Sequence, residues 1–72
     1  MKLYFQNSRG ERRLIGEPKT EEESRKIYRA FCKERNFKIY YVRSWVTKNG
    51  EKYYDVGSWT EFFIEVSDDE NN

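Results

Sequence analysis

Seventy-two residues limit the chain to one small domain, because so short a sequence folds around a single modest core. It has no histidine and one cysteine, which excludes a Ser-His-Asp or Cys-His pair, an imidazole metal ligand, an internal disulfide and a cysteine-rich zinc site. Fourteen basic against thirteen acidic residues leave a net charge of +1, without the basic excess that small nucleic-acid binders use to neutralise phosphates.

The elements follow in chain order. Lys2 to Gln6, with Leu3, Tyr4 and Phe5, reads as a strand, and Asn7-Ser8-Arg9-Gly10 supplies turn chemistry. Arg12 to Glu17 returns as the second strand of a hairpin, carrying Leu14 and Ile15. After Pro18, Thr20 and Glu23 form a capping box, and Glu21 to Glu23 place negative charge at the positive end of a helix dipole. Ile27, Tyr28, Ala30 and Phe31 make the apolar stripe of that helix, with Ser24 beneath and Cys32 on its flank. Asn36 stands where a left-handed residue ends it. Phe37 to Val46 and Glu51 to Val56 read as paired strands about Asn49-Gly50. A two-residue type I′ turn there sets Trp45 opposite Tyr54 and Arg43 opposite Val56. Thr60 to Val66 is a further strand, and Ser67 to Asn72 is an acidic flexible tail. The order is ββαβββ: a single α+β two-layer domain over residues 1–66, one helix packed on a mostly antiparallel sheet.

Phasing decides which sheet face the helix covers. A two-residue turn at Gly57-Ser58 sets Phe62 and Ile64 beside Tyr53 and Asp55. A three-residue loop, Gly57 to Trp59, sets them with Tyr54 and Val56. The second choice gathers Phe37, Ile39, Tyr41, Trp45, Tyr54, Val56, Phe62 and Ile64 on one consistently apolar face, with Arg43 misplaced among them. It leaves Lys38, Tyr40, Val42, Tyr53 and Phe63 on the opposite face as the candidate binding residues. Such a patch is either a docking surface for another macromolecule or a second copy, or core that the N-terminal hairpin folds over.

If open, the patch suits a protein partner better than RNA. Asp55, Glu61 and Glu65 share its face and repel phosphates, and no run matches the signature of an aromatic RNA-binding platform. Single-stranded nucleic-acid binding through the same rings is the alternative. Arg9, Arg12 and Arg13 around the first turn are candidate anion contacts, although a charged hairpin tip also serves solubility. Cys32 reads as a small buried thiol, and nothing selects one carboxylate pair among thirteen acids. The reading is a non-catalytic protein-binding module with no cofactor, no metal and no membrane span.

The run Tyr54-Asp55-Val56-Gly57-Ser58-Trp59-Thr60-Glu61-Phe62-Phe63 resembles the C-terminal signature of short uncharacterised proteins carried by phages and prophages of Gram-positive bacteria. The Leu3-Tyr4-Phe5-Gln6-Asn7-Ser8 and Leu14-Ile15-Gly16-Glu17 runs are also similar. That resemblance assigns no activity. It implies an accessory or host-interaction protein, inhibitor-like, in the cytoplasm of a bacterial host.

Overall fold

A computed structural model describes residues 1–67. The expected acidic tail therefore lies, apart from Ser67, outside the described residues. One helix packs on one five-stranded antiparallel sheet, in the order ββαβββ. The strands are β1 (Lys2–Gln6), β2 (Arg12–Gly16), β3 (Arg43–Val46), β4 (Lys52–Asp55) and β5 (Phe62–Val66), and the helix is α1 (Glu21–Glu34). Their order across the sheet is β2-β1-β5-β4-β3. The N-terminal hairpin thus joins the main sheet edge to edge through β1 and β5 and does not fold over a face.

Local chemistry sets the helix ends. Thr20 accepts the Glu23 backbone N–H through its hydroxyl at 3.1 Å, and the Glu23 carboxylate accepts the Lys19 N–H at 2.8 Å. At the other end Asn36 takes a φ of 55°. The Phe37 N–H then reaches the Cys32 carbonyl at 2.7 Å and the Asn36 N–H reaches Lys33 at 3.3 Å. This is the Schellman pattern, which satisfies carbonyls the helix leaves unpaired.

Both hairpins close with the same three-residue loop. The Asn7 N–H donates to the Glu11 carbonyl at 3.0 Å and the Thr47 N–H to Glu51 at 2.9 Å, with Gly10 and Gly50 at φ 83° and 82°. A type I turn followed by one left-handed glycine needs positive φ at a single position, so Asn49 need not adopt it. The expected two-residue turn at Asn49-Gly50 is therefore corrected, and the register moves by one residue. Trp45 faces Tyr53 and Arg43 faces Asp55. β3 also begins later than expected. β4 ends at Asp55, and past it the Tyr40 N–H, on the Val56 carbonyl at 3.0 Å, ties the 37–42 stretch to that strand.

The phase of β5 is the second correction. Tyr54 faces Phe63 and Tyr53 faces Ile64, so Phe63 and Glu65 lie under α1, while Phe62 and Ile64 share the open face with Tyr53 and Asp55. Phe63 is 1% exposed and centres an aromatic core. Its ring stacks on Tyr28 at 5.1 Å and meets Phe31 and Phe5 at 5.7 and 5.5 Å. Ile64, on the other face, is equally buried, with Tyr4 and Tyr53 beside it in the ladder. As the central strand, β5 is apolar on both sides.

Truncation distinguishes the two phases. Phe63→Ala is expected to cost about 3–5 kcal/mol, a large share of the roughly 4–11 kcal/mol that a domain of this size holds. Phe62→Ala, at a partly buried ring, costs less than about 2 kcal/mol. Urea unfolding of the two variants checks the order, and a larger loss at Phe62 contradicts this packing.

Candidate functional site

The face of the sheet away from α1 carries a continuous aromatic cluster. Trp45 stacks on Tyr53 at 5.6 Å with 19° between ring planes, and Phe62 meets both edge-on at 5.9 and 5.8 Å. Beside it a cleft of about 430 Å³ is lined by Tyr41, Trp45, Trp59 and Phe62, with Arg43, Asp55 and Ser58. Asp55 is buried in its floor, accepting the Arg43 guanidinium at 3.0 Å and the Gly57 N–H at 3.0 Å. The hydrogen bond to Asp55, and to a smaller extent nearby Tyr41, raise the Arg43 pKa above its ordinary value. The guanidinium also lies 5.5 Å from the Tyr41 ring centre, a cation over a π face. The one-residue register change thus resolves Arg43: it faces its own counter-charge. The cleft lining thus mixes aromatic side chains with one paired charge, Arg43 on Asp55.

Trp59 stands at the mouth, 91% exposed. Its loop, between β4 and β5, is held by the Ser58 hydroxyl on the Glu61 carboxylate at 2.9 Å. Trp59, Tyr41 and Trp45 were not among the expected binding residues, because the expected phase assigned Tyr41 and Trp45 to the core. The available signal was a tryptophan set between Ser58 and Thr60 in a turn.

The expected binding residues do not converge. Tyr53 is on the open face, partly buried between Trp45 and Phe62. Phe63 is in the core and leaves that face, because β5 alternates in the opposite phase. Tyr40, 67% exposed, and Lys38 line a second cleft of about 420 Å³ with Arg35, Phe37 and Gly57. There the Lys38 ammonium lies 5.2 Å from the Tyr40 ring centre. Val42 is exposed near the start of β3. Gly57 allows the close approach of Tyr40: its φ is 105°, and an added Cβ meets the Tyr40 Cβ at 2.8 Å.

The candidate anion contacts do not form one clamp either. Neighbouring strand residues point to opposite faces, so Arg12 and Arg13 diverge. Arg12 lies across the open face. Its two terminal nitrogens donate to Glu51 at 3.0 Å each, one of them also to Tyr53 at 3.2 Å, and its Nε to Gln6 at 3.1 Å. This fork joins the β2 edge to the β4 side, and its guanidinium is already engaged by a carboxylate. Arg9 and Arg13 are exposed.

Beneath the helix, the buried Glu65 carboxylate accepts the Ser24 hydroxyl and, at 3.3 Å, the Tyr54 hydroxyl. Burial, with the Glu65 charge adding to it, pushes the Tyr54 phenol well above its usual range and keeps it neutral. Burial likewise raises the Cys32 thiol, which disfavours the nucleophilic thiolate. Among the described residues no three His, Cys, Asp or Glu side chains gather in a way that could hold a metal ion. None of the helices there is long and apolar enough to cross a membrane. Comparison with protein-family models, curated proteins and solved structures finds no match to this chain.

The hydrogen bond from Arg12 holds the Glu51 carboxyl below its ordinary value of 4.5, so the pair's contribution is fully present above that pH. It is lost as pH falls from there through the lowered folded-state value. Glu51→Gln is expected to cost about 0.5–1 kcal/mol at neutral pH and to flatten the corresponding part of the acid-denaturation profile; parallel curves for the two proteins contradict the pairing. Gly57→Ala forces a side chain into a left-handed position against Tyr40 and is expected to cost about 1–3 kcal/mol, read from the thermal midpoint.

Proposed function

We propose that the protein is a non-catalytic binding module that docks a protein partner in the Trp45–Trp59 cleft. One observation carries this reading: three exposed aromatic side chains, Tyr41, Trp45 and Trp59, line one cleft. Among the described residues these three stand together around the first cleft, whereas Val46 points to the helix face of β3, Tyr40 lines the second cleft and Leu14 lies on β2. Contiguous exposed apolar surface on a small domain marks a contact site, and tryptophan and tyrosine are the side chains that most often carry binding energy. The Arg43–Asp55 pair leaves the cleft floor without an uncompensated charge, which favours apolar side chains of a protein over a phosphate backbone. An accessory or inhibitor-like role, of the kind the phage-protein resemblance implies, is compatible with such a module.

The test compares tagged wild-type protein with Trp59→Ala and Leu14→Ala as baits. Wild type and Leu14→Ala are expected to retain one stoichiometric partner, and Trp59→Ala to lose it with an unchanged circular dichroism spectrum, since its side chain is almost wholly in solvent. A partner held equally by all three places binding elsewhere. Salt-sensitive quenching of tryptophan fluorescence by oligothymidylate favours the nucleic-acid alternative instead.

A further inference from the structure

We propose that two copies of the chain associate through β3, pairing antiparallel about a two-fold axis at Ser44 to give one continuous ten-stranded sheet. The two edges of the sheet differ. β2 is bulged opposite Leu3 and Tyr4, a device that discourages edge pairing. Among the described residues β3 has neither a bulge against β4 nor a strand on its outer side, and its four residues Arg43–Val46 are all exposed.

Backbone parity restricts how β3 can pair. The Thr47 N–H bonds to Glu51, so along the β3–β4 ladder the hydrogen-bonding groups of Thr47, Trp45 and Arg43 face β4. Those of Ser44 and Val46 face outward. A two-fold axis can then sit at any of the four β3 residues. At Val46 it sets the Ser44 hydroxyl opposite Lys48 of the second copy and shifts Arg43 and Val42 past β3 of that copy. At Arg43 it sets two guanidinium groups directly opposite, which is unfavourable. At Trp45 it sets Val42 opposite Lys48 of the second copy. At Ser44 the two outward Ser44 groups exchange both backbone hydrogen bonds, Arg43 faces the second copy's Trp45, and Val42 faces its Val46. Every position then meets a compatible neighbour: a cation over an indole, and one β-branched apolar side chain against another.

The self-complementarity of Val42-Arg43-Ser44-Trp45-Val46 about its middle residue is why the occupant is a second copy. A two-fold normal to the sheet keeps both helices on one side and both clefts on the other. Arg43 and Trp45 line each cleft, so the two clefts meet across the new strand pair. The association does not depend on the cleft taking a partner.

Sedimentation equilibrium of the wild-type chain from micromolar to millimolar concentration is expected to show the mass rising from 8.9 kDa towards twice that value. Ser44→Pro removes an outward N–H that the monomer does not use, at an edge position where proline is tolerated. It is expected to weaken association at least about tenfold with an unchanged circular dichroism spectrum. Val46→Lys, at a side chain 64% exposed, is expected to do the same without touching the backbone. In a Cys32→Ala background, Ser44→Cys is expected to oxidise to a covalent dimer, because hydrogen-bonded antiparallel partners lie about 5.5 Å apart, within disulfide reach. A wild-type chain that stays monomeric throughout overturns the proposal, as does a dimer that Val46→Lys and a folded Ser44→Pro leave intact.

Discussion

The structure depends on β5 lying in the middle of the sheet with apolar side chains on both faces. The chain builds two hairpins with the same loop, Asn7 to Glu11 and Thr47 to Glu51, and neither is stable alone, because a two-stranded hairpin is marginal in water. β5 pairs with β1 on one side and β4 on the other, joining both into one sheet. Phe63 then supplies the ring on which Tyr28 and Phe31 of α1 settle, while Ile64 closes the second face. The pairing of β1 with β5 links residues some sixty positions apart, so its loop-closure entropy must be overcome before the core can form.

The two faces of the sheet divide the work. The helix face is a packed aromatic core with one buried polar cluster, Ser24, Tyr54 and Glu65, at its margin. Among the described residues no second layer packs on the open face, which is covered by its own long side chains. Arg12 reaches over it to Glu51 and Tyr53, and the stacked Trp45, Tyr53 and Phe62 rings continue to the β3 edge. Polar side chains and ion pairs quiet one end of this face, and aromatic surface is left at the other. Binding readings for this domain therefore concentrate at β3 and the Trp59 loop.

What was legible in the sequence was local. Thr20, Glu23 and Asn36 set the helix ends because caps act within a few residues, and the element order followed from turn chemistry. The register of the second hairpin was not legible, because Gly50 serves equally a two-residue turn and a three-residue loop with one left-handed residue. The phase of β5 was hidden for a different reason. Alternation identifies the core face only where one side is polar, and Phe62, Phe63, Ile64 and Val66 put apolar groups on both. These two unknowns together moved Phe63 into the core and brought Tyr41 and Trp45 to the cleft. The capture of Arg12 by Glu51 joins residues thirty-nine apart and left no local trace.

The central position and phase of β5 are tested most directly by nuclear Overhauser contacts of the two adjacent phenylalanine rings. This structure predicts contacts from Phe63 to Tyr28, Phe31 and Phe5, and from Phe62 to Trp45 and Tyr53. Contacts from Phe62 to Tyr28 and Phe31, with Phe63 touching none of the helix, contradict it.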